Sequence, residues 1–191
     1  TKFGFHSKTG IDLPDEKIGL IPNKKYMNQT YKNRGGWSKG HLLNLSIGQG
    51  EISVTPIQII NLINIIANRG KTFQPHLNLN FEAKEVMVNY NDKVWKDLRE
   101  FMSNAVNSDG GTAYNAKINK KYGKVYGKTG TAQVCSNCDI EPHGWFAGFI
   151  ELQNNKTYTI CVIIENGGKG SIIPTKIAKN IFNYIINISN V

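Results

Sequence analysis

The sequence predicts a mixed α and β protein in which an antiparallel sheet packs against helices. Two segments of helical period come first, the period shortens to that of strands near residue 121, and a last helical segment closes the chain. The strand segments are short and separated by turn-forming clusters, which makes three sequential antiparallel strands the simplest arrangement. At 191 residues the chain has room for one core, and a second would be crowded. No internal repeat at solenoid periods is present.

Residues 1–41 carry turn signals at Gly10, Pro14, Gly19, Pro22 and the Gly35, Gly36 pair, and read as an extended, loop-rich surface segment. Residues 42–120 read as the helical part. There Thr55 and Pro56 supply an N-cap and a proline at the first helical position. The helix they open carries Ile57, Ile59, Ile60, Ile63 and Ile66 around most of its circumference and stops at Gly70, so it should be central and buried. A second helix is expected from Asp92 to Asn107, with Trp95, Leu98 and Met102 at helical spacing. Residues 121–191 hold three strand patterns, 125–134, 144–152 and 158–165, followed by an amphipathic helix from Pro174 to Ile188 able to cover one sheet face.

Composition excludes several classes. With 40% apolar and 19% charged residues the chain has the make-up of a folded protein, and no run of eighteen apolar residues would span a membrane. The net charge of +9 comes from scattered lysines such as Lys24, Lys71, Lys93, Lys156 and Lys176, without interleaved aromatics, so nucleic acid is not the expected partner. A solvated basic surface accounts for the charge, and an anionic wall polymer or membrane surface would suit it equally. The sequence opens at Thr1 without a leader, which suggests a fragment. Three cysteines make no disulfide framework, and Cys161 falls in an apolar strand pattern where a small buried thiol is the default.

Lys-Thr-Gly occurs twice, at Lys8 to Gly10 and at Lys128 to Gly130. The first copy sits among turn signals and the second inside a strand pattern, so only the second is on a rigid element. A lysine on an edge strand presents a fixed ammonium, neighbouring threonine hydroxyls can bind a carboxylate, and glycine lets another backbone approach. Such an edge can also accept a substrate as an added strand.

With its context this motif resembles a known family. Gly127-Lys128-Thr129-Gly130-Thr131-Ala132-Gln133, then His143-Gly144-Trp145-Phe146-Ala147-Gly148-Phe149 and Glu165-Asn166-Gly167-Gly168, resemble the end of a class B penicillin-binding protein. Upstream, Thr9-Gly10-Ile11-Asp12-Leu13-Pro14 and Asn44 to Gln58, through Ser46-Ile47-Gly48-Gln49-Gly50, match the same family in the same order. The aromatic strand and the Glu-Asn-Gly-Gly turn resemble the elongation-type branch, penicillin-binding protein 2, more than the septal one. The resemblance implies an α+β, β-lactamase/transpeptidase-like fold, present here as a partial domain.

It also implies a mechanism. In this family a serine of an S-x-x-K motif attacks the D-Ala-D-Ala carbonyl of a peptidoglycan stem peptide, and an S-x-N motif helps move the proton. Carried over, Lys128 would supply positive potential and join the proton relay. Thr129 and Thr131 would bind the terminal carboxylate beside Gly130, and the Thr131 N–H would form half of an oxyanion hole. None of the serines has Lys three residues on or Asn two residues on. The chain alone is therefore expected to be inactive, its nucleophile lying in an upstream region. No cofactor is implied. Stem peptides and β-lactams would be the ligands, and a polymerase of the elongation machinery the partner. The full-length protein would be anchored in the inner membrane with its site on the periplasmic face. A β-lactamase or D,D-carboxypeptidase-type hydrolase, or a non-enzymatic β-lactam sensor, shares the motif strand and is the alternative. A sheet missing its other strands would leave an apolar edge open, so the isolated chain is expected to be poorly soluble.

Cys135, Cys138 and His143 have the residue types of a zinc site beside the motif strand, and structural cysteines, a disulfide or a metal clip all fit that spacing. His143 is expected to pack or hydrogen-bond rather than act as a base. Ser46 to Gly50 lacks the lysine of a phosphate-binding loop, and its expected role is a tight turn against the buried helix, with Gln49 close to the cleft as a lesser alternative.

Overall fold

Side chains that cap free backbone amides mark where the helices begin. In the computed structural model, which describes residues 2–135 and 139–189, Thr55 and Gln58 bond reciprocally at the start of α3 (Pro56–Ala67). The Gln58 N–H donates to Thr55 Oγ1 at 3.3 Å and the Thr55 N–H to Gln58 Oε1 at 3.0 Å. The Asn91 side chain caps α4 (Asp92–Asn107) by accepting the Lys93 N–H. Both helices stand where the pattern placed them.

Residues 1–41, expected as loop, contain a short helix α1 (Lys24–Thr30), whose first turn is held by the Asn23 side chain accepting the Tyr26 N–H at 2.9 Å. A second helix, α2 (Lys39–Ser46), follows. Two strands of three residues, β1 (Lys71–Phe73) and β2 (Glu85–Met87), pair antiparallel with Thr72 opposite Val86. Three residues are too few to set up a period-2 pattern, and none was expected there.

The main sheet has the order β3-β4-β5, from β3 (Gly123–Ala132), β4 (His143–Leu152) and β5 (Thr157–Ile164). All pairs are antiparallel, and the first runs unbroken from Gly123 opposite Leu152 to Ala132 opposite His143. The ends lie within two residues of the sequence expectation. Alternation along the strands gives the sheet two apolar faces. Val125, Phe146, Ile150 and Val162 form one core with Ala178, Phe182 and Ile186 of α5 (Ile173–Ile188). Tyr126 and Phe149 form the other with Ile63 and Ile66 of α3 and with Trp95 and Met102 of α4. Phe146 and Phe149 are fully buried from opposite faces of β4, and each contributes on the order of 2 kcal/mol by leaving water.

Gly70 closes α3 at φ 100°, where a Cβ would lie 2.5 Å from the Val88 carbonyl oxygen and 2.9 Å from the Trp95 ring, so no larger residue fits. Beside it Arg99 of α4 is only 8% exposed. Its guanidinium donates to the Ala67 carbonyl at 2.6 Å, pairs with Glu151 of β4, and lies 4.8 Å from the Tyr126 ring centre and 5.1 Å from that of Phe149. One cation thus ties α4 to the end of α3 and to the sheet. Burial, and then the Glu151 carboxylate beside it, hold the Tyr126 hydroxyl above the usual tyrosine pKa. Replacing Arg99 by Ala should cost about 3 kcal/mol, because it strands the Ala67 carbonyl and the Glu151 charge. Urea unfolding measures it, and a loss below about 1 kcal/mol would mean the pair behaves like a solvated surface bridge.

Candidate active site

Strand β3 has β4 on one side, and among the described residues no strand pairs with the other. Register places Thr129 opposite Phe146 and Thr131 opposite Gly144, and so on the α5 face of the strand. Lys128 opposite Ala147 and Gly130 opposite Trp145 belong to the other face. The four predicted residues are therefore contiguous on an open edge, with the two hydroxyls on one face and the ammonium side chain starting from the other. Lys128 and Thr131 are exposed.

Two side chains reach the carbonyls of this edge. Lys128 Nζ donates to Thr129 O at 2.8 Å, and Gln49 Nε2 donates to Thr131 O, also at 2.8 Å. Gly130 lies close against Trp145, whose Cβ a side chain at 130 would approach to 3.3 Å, and Gly127 makes room for the Phe146 ring, 2.5 Å from where its Cβ would be. The glycines of the motif are thus fitted to the partner strand β4.

The segment after β5 is laced across the end of the same ladder. Asn166 N–H donates to His143 Nδ1 at 3.0 Å, Gly168 N–H to Pro142 O at 3.0 Å and Gly170 N–H to Thr131 Oγ1 at 3.4 Å. His143 holds a turn through its ring, the hydrogen-bonding role expected of it. Cys135 is disulfide-bonded, which removes it from any thiolate ligand set, and Cys138 lies outside the described residues. Among the described residues no three His, Cys, Asp or Glu side chains come together as a metal site, and of the alternatives for this turn the disulfide is the one that Cys135 takes. Cys161 is a free thiol, and burial pushes its pKa up to about 11.

The first Lys-Thr-Gly copy has a different task. Glu16 accepts the Thr9 N–H at 2.8 Å, the Thr9 hydroxyl at 2.5 Å and the Gly10 N–H at 3.0 Å, so residues 9–16 close into a turn with Gly10 at φ 82°. Asp12 in that turn accepts the N–H groups of Leu77 and Asn78, both at 2.7 Å. These carboxylates clamp loops. A cavity of about 880 Å³ opens at the other end of β3, lined by Lys117, Lys124, Tyr126, Glu151 and Gln153 among others, and includes none of Lys128 to Thr131.

A three-stranded antiparallel sheet between helices, with a Lys-Thr-Gly-Thr sequence on its open edge, is the setting in which the Lys-Thr-Gly signature of β-lactamases and penicillin-binding proteins is expected. The family model described as the penicillin binding protein transpeptidase domain matches residues 1–183, and the chain belongs to that family. Peptidoglycan D,D-transpeptidase MrdA of Acinetobacter baumannii is 34% identical, over 96% of this chain and 30% of its own length. The Haemophilus influenzae protein of the same name is 31% identical, over 97% of this chain and 31% of its own. The chain thus spans about a third of these relatives. Among solved structures, penicillin-binding protein 2 of Helicobacter pylori, in complex with MreC, superposes with a TM-score of 0.86 at 28% identity, covering 100% of this chain and 35% of that one. Pseudomonas aeruginosa PBP2, in complex with WCK 5153, gives 0.78 at 29%, covering 96% and 42%.

The loop clamp has a pH signature. Hydrogen bonds from the Asn78 and then the Leu77 N–H hold Asp12 below the ordinary carboxylate pKa. For Glu16, burial pushes the pKa up, but the Thr9 hydroxyl and the Thr9 and Gly10 N–H groups outweigh it and the net shift is down. Depressed folded values mean stabilisation that is complete above about pH 4 and is lost as pH falls through the folded pKa. Amide protection at Leu77, Asn78, Thr9 and Gly10 should therefore fall below about pH 4, whereas Asp12→Asn should flatten the profile at Leu77 and Asn78. Unchanged protection at pH 3 in the unsubstituted chain would contradict the clamp.

Proposed function

We propose that this chain is the substrate-clamping part of a peptidoglycan D,D-transpeptidase of the elongation type, acting by acyl transfer from D-Ala-D-Ala stem peptides. The observation that carries the reading is the open edge of β3, with Lys128, Thr129, Gly130 and Thr131 contiguous upon it. A stem peptide, or a β-lactam in its place, adds along this edge as an extra strand. The Thr129 and Thr131 hydroxyls, two residues apart on one face, hold its terminal carboxylate, and the Lys128 ammonium supplies the positive field. Among the described residues Lys128 has only its own strand's carbonyl as a hydrogen-bond partner, so its charge is available to the ligand and to the proton relay.

The serine comes from a region outside this sequence, since no serine here is followed by Lys at the third position. Its Oγ attacks the penultimate D-Ala carbonyl, the peptide C–N bond breaks, and the terminal D-Ala leaves with the serine's proton. An amine of a neighbouring stem peptide then attacks the ester and regenerates the serine. The Thr131 N–H, on the same open side as its carbonyl, stabilises the oxyanion in both steps. No diffusible cofactor enters.

Among the described residues no helix is long and apolar enough to cross a membrane. We assign the anchor to another part of the protein, with the site on the outer face of the inner membrane and a glycan polymerase as partner. A neighbour described as a peptidoglycan synthase complex that coordinates polymerization and crosslinking, 26% identical with a TM-score of 0.74 over 95% of this chain and 31% of that one, supports the polymerase partner.

Fluorescent penicillin should leave this chain unlabelled on its own and label the gene product that carries it together with the serine. In that product Lys128→Ala should slow acylation by about 100-fold or more. Labelling of the isolated chain, or acylation indifferent to Lys128, would overturn the assignment.

A further inference from the structure

Gln49 belongs to none of the groups that carry the proposed chemistry, yet it reaches the motif from 82 positions away, donating to Thr131 O at 2.8 Å. Its own backbone is fixed. The Gln49 N–H donates to Asn44 O at 3.0 Å on the last turn of α2, and Gly48 and Gly50 on either side take φ of 80° and 79°. Those left-handed values are what glycine supplies without strain, and they hold residue 49 at the tip of a tight loop pointed at the strand edge.

In a strand the N–H and C=O of one residue point to the same side. A donor that fixes the Thr131 carbonyl on the open edge therefore favours the extended backbone that keeps its N–H, which belongs to the preceding peptide unit, on that edge too. Such a fix is needed here because β3 ends one residue later, at Ala132, where the ladder to β4 gives out. Thr131 is held from a second direction as well, by the Gly170 N–H on its hydroxyl. A carbonyl oxygen has two lone pairs, so the bond from Gln49 leaves one for a ligand amide.

We propose that Gln49 is a positioning residue for acyl transfer: through the Thr131 carbonyl it aims the Thr131 N–H at the developing oxyanion. The role rests on reading the β3 edge as the acyl-transfer site. It acts on the acylation step, whose charge develops only in the transition state, and leaves the encounter with the ligand largely unchanged.

The test uses the serine-bearing gene product and a chromogenic penicillin, with stopped-flow resolution of the non-covalent dissociation constant from the acylation rate constant. Gln49→Ala should lower the acylation constant by about 3- to 10-fold, the worth of one neutral hydrogen bond, and leave the dissociation constant within about two-fold. Gln49→Glu keeps the length of the side chain but can donate only as the neutral acid. Its acylation rate relative to the unsubstituted protein should therefore fall as pH rises through about 4 to 6, while the ratio for Gln49→Ala stays flat. An unchanged acylation constant in Gln49→Ala, an effect confined to the dissociation constant, or a flat profile for Gln49→Glu would each overturn the role. A parent protein that no penicillin acylates would remove the transpeptidase reading itself, whereas normal acylation of both parent and Gln49→Ala would remove only the role of Gln49.

Discussion

The ten-residue ladder between β3 and β4 is the constraint on which the rest of the molecule depends. Because side chains alternate, a slip of β3 by one residue would turn Val125 away from α5 and Tyr126 away from α3 and α4. Both cores would be lost together, so burial on two faces pins the register firmly. The same register decides that Thr129 and Thr131 share a face and that Lys128 and Gly130 share the other. The geometry of the candidate site is thus inherited from the hydrophobic core, which holds the strand rigid while its free edge stays open to a ligand.

An open edge strand invites pairing with any extended chain. Here the carbonyls of Thr129 and Thr131 are engaged by Lys128 and Gln49, donors that cover the template without adding a strand. The cover is polar and single-stranded, and a substrate can join the edge without unfolding anything. Arg99 plays a comparable part inside the fold, where it satisfies the last carbonyl of α3 and the carboxylate of Glu151 with one buried cation.

What was legible in the sequence follows from how strongly each element is constrained by burial. Helix α4 was placed from Asp92 to Asn107 because Trp95 and Met102 repeat at helical spacing on a buried face. Helix α2 has no buried residue, and Leu42, Leu43 and Ile47 are exposed, so periodicity had nothing to record. The β1 and β2 strands are too short to show alternation. In the site, Lys128 to Thr131 could be found because the motif is local and sits in a strand pattern. The bond from Gln49 to Thr131 joins positions far apart in sequence, and only the fold brings them together. In the sequence Ser46 to Gly50 reads mainly as a tight turn, with Gln49 near the cleft only as the lesser alternative. Of the two Lys-Thr-Gly copies the second lies on a strand as its context predicts, whereas Glu16 closes the first into a turn.

The central claim is that the free edge of β3 receives the acylating ligand, and hydrogen exchange at single-residue resolution on the serine-bearing protein tests it most directly. If the ligand adds along this edge, the amides of Thr129 and Thr131 exchange more slowly once a penicillin has acylated the protein, while Tyr126, opposite Phe149 with its amide turned into the ladder, is unchanged. Equal exchange at Thr129 and Thr131 before and after acylation would contradict the account.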